Sequence, residues 1–390
     1  MWSALAVSVL ILGCESGPDG FRVHIENAHF VVPGPGLPET VQPQAANNNV
    51  SIARHDGRLF MAWRSAPSHF ASTESQMFVV SSGDDGDTWD HEQTIALGAD
   101  VREPLLYEAG DTLLLSFFEG GTNPLAFEPN KPWRSRYQGA GDWTAPEVWG
   151  AKGEVPWDVV SHKGRLYLSS YLGNHYEFGE PGDVSLRLQW SEDGLNWQPV
   201  GTVAEVYRGG ASEAAFGFDG AGDLWAVLRN EDGDATGFGS LLCHAPADDL
   251  SSWDCPKKSD PNRYDSPRIF RHAEELYMVA RRDIGGPYDQ GNPDDTFGAQ
   301  QIDNLTQYSA RPKTSALYWI DRNARRVRHL MDLPGSGDNA FPSVVQEGPH
   351  TFRIANYTSP LDDPERTWLE GQLSADGTNL YLLTLRFVGR

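Results

Sequence analysis

The chain is short of positive charge. Its 31 Lys and Arg face 54 Asp and Glu, a formal net charge of −23 over 390 residues. A surface this acidic repels phosphate backbones, so nucleic acid is not expected as a partner. Cysteine is scarce, with three in all. Two of them, Cys243 and Cys255, have only His244 close by, which makes a poor zinc set, and no metal or other cofactor is expected. The one N-terminal apolar run falls short of the ~20 residues a membrane-spanning helix requires. Helical periodicity with caps is missing from any long window, which argues against an α-rich domain. Aromatic residues, by contrast, are plentiful: 13 Trp, 13 Tyr and 17 Phe within a 39% hydrophobic composition. That is enough for a packed core and excludes global disorder.

The chain opens with "MWSALAVSVLILGCES". The apolar run ending at Gly13 fits a secretory signal, although no Lys or Arg precedes it. Gly13-Cys14 resembles the bacterial lipoprotein box. That resemblance implies lipidation of Cys14, which becomes the mature N-terminus. Glu15 replaces the Asp associated with inner-membrane retention, so the expected location is the outer membrane or cell surface. An ordinary cleaved signal is the alternative. The expected division is a signal peptide over 1–13, a tether over 14–20 and one domain over 21–390. Export also favours a disulfide between Cys243 and Cys255, which flank "CHAPADDLSSWDC".

Tryptophan recurs after turns. Trp89, Trp143, Trp197 and Trp253 follow each other at intervals of 54, 54 and 56 residues. A period of this length marks a repeated supersecondary unit. Six segments repeat an apolar run, a turn and a second apolar run: "NVSIARHDGRLFMAWR" (49–64), "EPLLYEAGDTLLLSFF" (103–118), "WDVVSHKGRLYLSSY" (157–171), "EAAFGFDGAGDLWAVLR" (213–229), "DSPRIFRHAEELYMVAR" (265–281) and "FPSVVQEGPHTFRIANY" (341–357). Each reads as a β-hairpin. Six units of four short strands predict an all-β fold, a six-bladed β-propeller of antiparallel blades, functioning as a monomer.

The turn residues Ser82, Asp84, Gly86 and Trp89 resemble the Asp box of sialidases and related propellers. Ser191, Asp193, Gly194 and Trp197 form a version one residue shorter, and Ser374–Thr378 a degenerate one. The expected role is architectural, with Asp accepting backbone N–H bonds and Gly taking positive φ. The spacing and terminal Glu of an EF-hand are absent, which argues against calcium.

Antiparallel blades place the starts of first strands and the ends of second strands on one face, opposite the Asp-box turns. That face is predicted to carry Arg64, Arg102, Glu103, Asp158, Glu213, Arg229, Asp265 and Arg281 around the central channel. Carboxylates, arginines and aromatics in one funnel suit a glycan, acidic sugars included. The segment between Asp283 and Lys313 should overhang this face as a partial lid.

"SEAAFGFDGAGDLWAVLR" (212–229) resembles the sialidase segment in which a Glu polarises a tyrosine nucleophile and an Arg grips the substrate carboxylate. The resemblance implies those roles for Glu213 and Arg229, with Arg281 as a further arginine. The blade-six position expected to hold the nucleophilic Tyr holds Phe341, which leaves Tyr357 as the nearby phenol. Two catalytic schemes stay open: Tyr357 with Glu213 as its base, or an acid–base pair among Glu103, Asp158, Glu213 and Asp265, the pattern of inverting propeller glycosidases. A non-catalytic glycan-binding or protein-interaction propeller is the third possibility.

Overall fold

Tight turns at left-handed residues set the hairpins. In the first unit, strands Ala46–His55 and Arg58–Ala66 are joined through Asp56 and Gly57, with φ of 47° and 74°. Two successive positive φ values match the right-handed twist of the flanking strands. In the computed structural model, which describes residues 17–18 and 20–389, this hairpin recurs in six antiparallel sheets. Their innermost strands begin at Ala46, Val101, Val155, Ala211, Asp265 and Asn339 and contact one another in a closed circle. The protein is a six-bladed β-propeller. Cys14 and the predicted signal segment lie outside the described residues, and among those described no helix is long and apolar enough to cross a membrane.

Ring closure uses the N-terminal strand. Phe21–Val32 pairs antiparallel with Asn379–Gly389 and forms the outer edge of blade six, whose other three strands come from the C-terminal end. Blade four departs from the pattern. Its regular sheet has three strands, and the fourth position is an irregular segment bridging at Ser240–Asp260 and His244–Asp254. A Cys243–Cys255 disulfide ties that segment to the third strand, holding with a covalent bond what the ladder does not.

Apolar clusters fill the wedges between blades. Trp63, Trp89, Tyr357 and Leu382 join blades one and six, for example. The turn after Ser82 builds one such wedge. Ser82 Oγ accepts the backbone N–H of Gly86 (2.8 Å), and Asp84 accepts both the N–H (2.9 Å) and the hydroxyl (2.6 Å) of Thr88. These donors hold the Asp84 carboxyl down to about 2. Gly86 sits at φ 101°, where a Cβ would lie 2.8 Å from Leu382. Asp193 is bonded in the same way to Leu195 and Asn196. Both turns join third to fourth strands. Ser374–Thr378 instead precedes the third strand of blade six.

Two helices break the all-β pattern. Helix α1 (Phe297–Ser309) lies within the blade-five insertion and starts at Thr296, whose hydroxyl accepts from Ala299. Helix α2 (Trp368–Leu373) has a capping box made by Thr367 and Glu370. The buried residues of α1 are Gln301, Asn304 and Tyr308. A helix that buries amides leaves no apolar stripe, so its periodicity is absent from the sequence.

Candidate functional site

Every innermost strand breaks its pairing register near its start. The breaks fall at Asn48/Val50, Arg102/Leu105, Pro156/Asp158, Ala211/Ala214, Asp265/Arg268 and Ala340/Ser343. Four residues at these bulges have positive φ: Asn49 (52°), Glu103 (54°), Ser266 (48°) and Phe341 (57°). Bulges re-aim side chains, and strained non-glycine conformations concentrate where a site is built. Here they turn Asn49, Glu103, Glu213, Ser266 and Phe341 into one cavity of about 480 Å³ on the predicted face. The sequence does carry a signal for this. Proline follows three of the bulge residues, at Pro104, Pro267 and Pro342, and proline inside a strand marks a bulge because it cannot donate to the ladder.

Of the three glutamates lining this cavity, Glu103, Glu213 and Glu231, the first two lie in different surroundings. Burial and the nearby Glu213 charge push the Glu103 carboxyl well above the usual carboxylate range. Its Oε2 is buried without a hydrogen-bond partner in the protein. Burial raises Glu213 too, but Arg229 Nη1 at 2.7 Å and the backbone N–H of Ser266 at 2.8 Å favour its charged form. Both carboxyls are thus raised, Glu103 the further of the two, and only Glu213 has a bonded cation and a backbone N–H favouring its charged form.

An ion-pair lattice underlies them. Asp265 accepts from Arg263 (2.7 Å) and Arg281 (2.8 Å), lies 3.5 Å from Arg229, and takes the Tyr308 hydroxyl. Burial alone would raise Asp265, yet the three arginines hold it far below the carboxylate range. Glu231 bridges Arg263 (2.7 Å) and Arg229 (3.2 Å). On the opposite wall Asp100 is shared by Arg64 and Arg102, and His69 Nδ1 meets Asp338 at 2.6 Å.

The predicted residues therefore divide. Arg102, Glu103, Glu213, Arg229 and Arg281 line the cavity; Arg64, Asp158, Asp265 and Tyr357 do not. Arg64 is fully buried on Asp100. Asp158 meets Arg268 across the channel. Tyr357 is fully buried and donates to Asp338 at 3.1 Å, so the phenol offered as a displaced nucleophile is turned away from the cavity and has no bond to Glu213. Arg263, in the lattice, was missed by the sequence reading, and Glu231 was placed on this face without a site role. Each lies just outside a hairpin motif, two residues before Asp265 and two after Arg229.

The insertion forms a fixed wall. Leu305 and Ser309 of α1 line the cavity, and Trp368 of α2 stands beside them. The Gln301 side chain accepts from Gly179 (2.8 Å) and donates to the Asp232 carbonyl (2.9 Å), fastening α1 to the blade-three loop. Phe127, Tyr176 and Phe178 complete an aromatic rim. Among the described residues no cluster of three or more His, Cys, Asp or Glu is disposed to hold a metal ion.

No family model and no curated protein matches the chain. Its fold is shared by solved structures of low identity. A Dyadobacter fermentans protein of unknown function aligns with a TM-score of 0.60 at 14% identity, over 94% of this chain and 99% of that one. Trypanosoma rangeli sialidase in complex with sialic acid gives 0.56 at 13%, over 87% of this chain and 54% of that chain. Penicillium chrysogenum α-L-arabinanase complexed with arabinobiose gives 0.51 at 14%, over 86% and 92%.

Proposed function

We propose that the protein is a glycoside hydrolase in which Glu103 is the general acid and Glu213 the carboxylate partner. The observation that carries this is one cavity lined by Glu103, raised well above the carboxylate range with no cation bonded to it among the described residues, and Glu213, raised by burial but held by Arg229 and the Ser266 N–H. Glycosidic cleavage needs that pairing. A protonated carboxyl gives its proton to the leaving oxygen, and an ionised one supports or captures the positive sugar carbon, directly or through water. The aromatic rim supplies flat apolar faces for sugar rings. Similarity of fold to a sialidase and an arabinanase is consistent with glycan chemistry. A non-catalytic glycan-binding propeller is the second reading. It is favoured by the engagement of both Glu213 oxygens with Arg229 and Ser266.

The test is a screen of fluorogenic glycosides followed by a pH profile of kcat/KM. The alkaline limb should lie well above ordinary carboxylate values, because Glu103 must keep its proton. Glu103→Gln should lower turnover about 10²–10⁴-fold and remove that limb. A flat profile, or turnover unchanged by the substitution, would refute the role. Stability offers an independent check. A raised carboxyl contributes stability that is complete below its unfolded value and lost as pH rises through the folded one. The Tm of Glu103→Gln should therefore gain on wild type as pH increases.

We also propose export and lipid anchoring through Cys14. The support is the leader ending at Gly13-Cys14 and a disulfide that suits an oxidising compartment. Cys14→Ser expressed with the leader should move from the membrane to the soluble fraction. Retention in the membrane would refute the anchor.

A further inference from the structure

We infer that the cavity takes uncharged sugars and disfavours glycans bearing a carboxylate; this rests on the glycan reading above and narrows it. A site for an acidic sugar keeps one edge of a guanidinium free for a two-point contact with the substrate carboxylate. Here every cavity arginine is already paired with at least one carboxylate of the protein. Arg281 bonds Asp265 through Nη1 and the Asn339 carbonyl through Nε. Arg263 bonds Asp265 through Nε, and its Nη1 forms an ion pair with Glu231 at 2.7 Å. Arg229 divides its nitrogens among Glu213, Glu231 and His175 Nε2. The three are 3%, 2% and 5% exposed, so they offer a ligand almost no surface.

Counting charge gives the same answer. A guanidinium can only donate, so the bond from Arg229 makes His175 Nε2 an acceptor. His175 is then neutral, with its Nδ1 hydrogen on Asp232 at 2.6 Å. Arg102 is the cavity's fourth arginine, and it shares Asp100 with Arg64. Arg64, Arg102, Arg229, Arg263 and Arg281 are thus five cations. Asp100, Glu213, Glu231, Asp232, Asp265 and Asp338 are six anions, while Glu103 keeps its proton. Even with His69 charged on Asp338, the set only balances. Lys313, beyond the Tyr308 ring, donates to the carbonyls of Tyr308 and Arg311 and does not line the cavity. A carboxylate entering this space would lose its water and meet no uncompensated cation. Sugar hydroxyls bear no such penalty, and they find the Glu103 carboxyl and the aromatic rim.

The experiment measures Kd and kcat/KM for the wild-type protein on matched 4-methylumbelliferyl pairs. These are glucoside with glucuronide and galactoside with galacturonide, beside an arabinofuranoside and a sialoside. Neutral members should lead by about tenfold or more. An acidic member that binds or reacts better would overturn the inference and leave the glycan reading standing. No binding or turnover of any member would overturn both. In a second arm, Glu231→Gln leaves Arg263 Nη1 and part of Arg229 without an anionic partner, with folding checked by circular dichroism. The folded variant should narrow the gap by binding acidic members more tightly. A folded variant with an unchanged gap would show that compensated charge is not what sets the preference.

Discussion

Glu213→Gln is expected to lower kcat by at least about a thousandfold while ligand binding survives. The effect is large because the substitution removes the one ionised carboxylate of the proposed pair, and acid–base groups contribute roughly 10²–10⁴-fold each. Glutamine is nearly isosteric. Its oxygen can still accept the Ser266 N–H now bonded at 2.8 Å. Arg229 would keep Glu231 at 3.2 Å and Asp265 at 3.5 Å, so the guanidinium is not left without a carboxylate. Breaking a buried pair outright costs about 3–5 kcal/mol, and these remaining partners place the expected loss below that range. Kinetics and calorimetry together separate the alternatives. Lost turnover with retained binding supports catalysis by Glu213. Loss of both, with a lowered Tm, would assign it to the ion-pair lattice. Unchanged turnover would remove it from the mechanism.

The architecture was legible where the physics is local. A hairpin needs a turn residue and two short apolar runs, and the segments 49–64 to 341–357 repeat that pattern six times. The face carrying the cavity followed from strand direction alone. What escaped depends on partners far apart in the chain. Arg268 meets Asp158 and Arg229 meets Asp265 across blades, and no local pattern encodes such pairings. This matters for function, because free arginines had suggested an acidic ligand, whereas paired ones do not. Tyr357 illustrates a related limit. Its position at the end of a second strand put it on the right face, but the bulge at Phe341 decides which side chain reaches the cavity. Helix α1 escaped because its buried face is made of amides and a phenol.

Ring closure yields the second large effect. Deleting residues 17–33 is expected to lower Tm by about 10 °C or more, or to prevent folding. Phe21–Val32 pairs with Asn379–Gly389 from Phe21–Gly389 to Val32–Leu380, with register shifts between Glu26 and His29 and between Phe30 and Val32. Its buried valines serve two interfaces at once. Val23 packs with Tyr277, Leu317 and Phe387 on the blade-five side, and Val31 and Val32 pack with Trp63 and Trp89 on the blade-one side. Fully burying a valine is worth about 1.5–3 kcal/mol. Three of them are comparable to a substantial share of the roughly 5–15 kcal/mol that stabilises a whole domain. Removal would also leave Asn379–Gly389 as a long unpaired edge, which invites association between chains. A synthetic peptide spanning residues 20–33 should restore Tm by adding back as the missing strand. Thermal melts of the truncated protein with and without the peptide make the test. An unchanged Tm on deletion would mean that the other three strands of blade six close the ring unaided. A loss of Tm that the peptide fails to repair would mean that covalent continuity, rather than strand pairing, provides the closure.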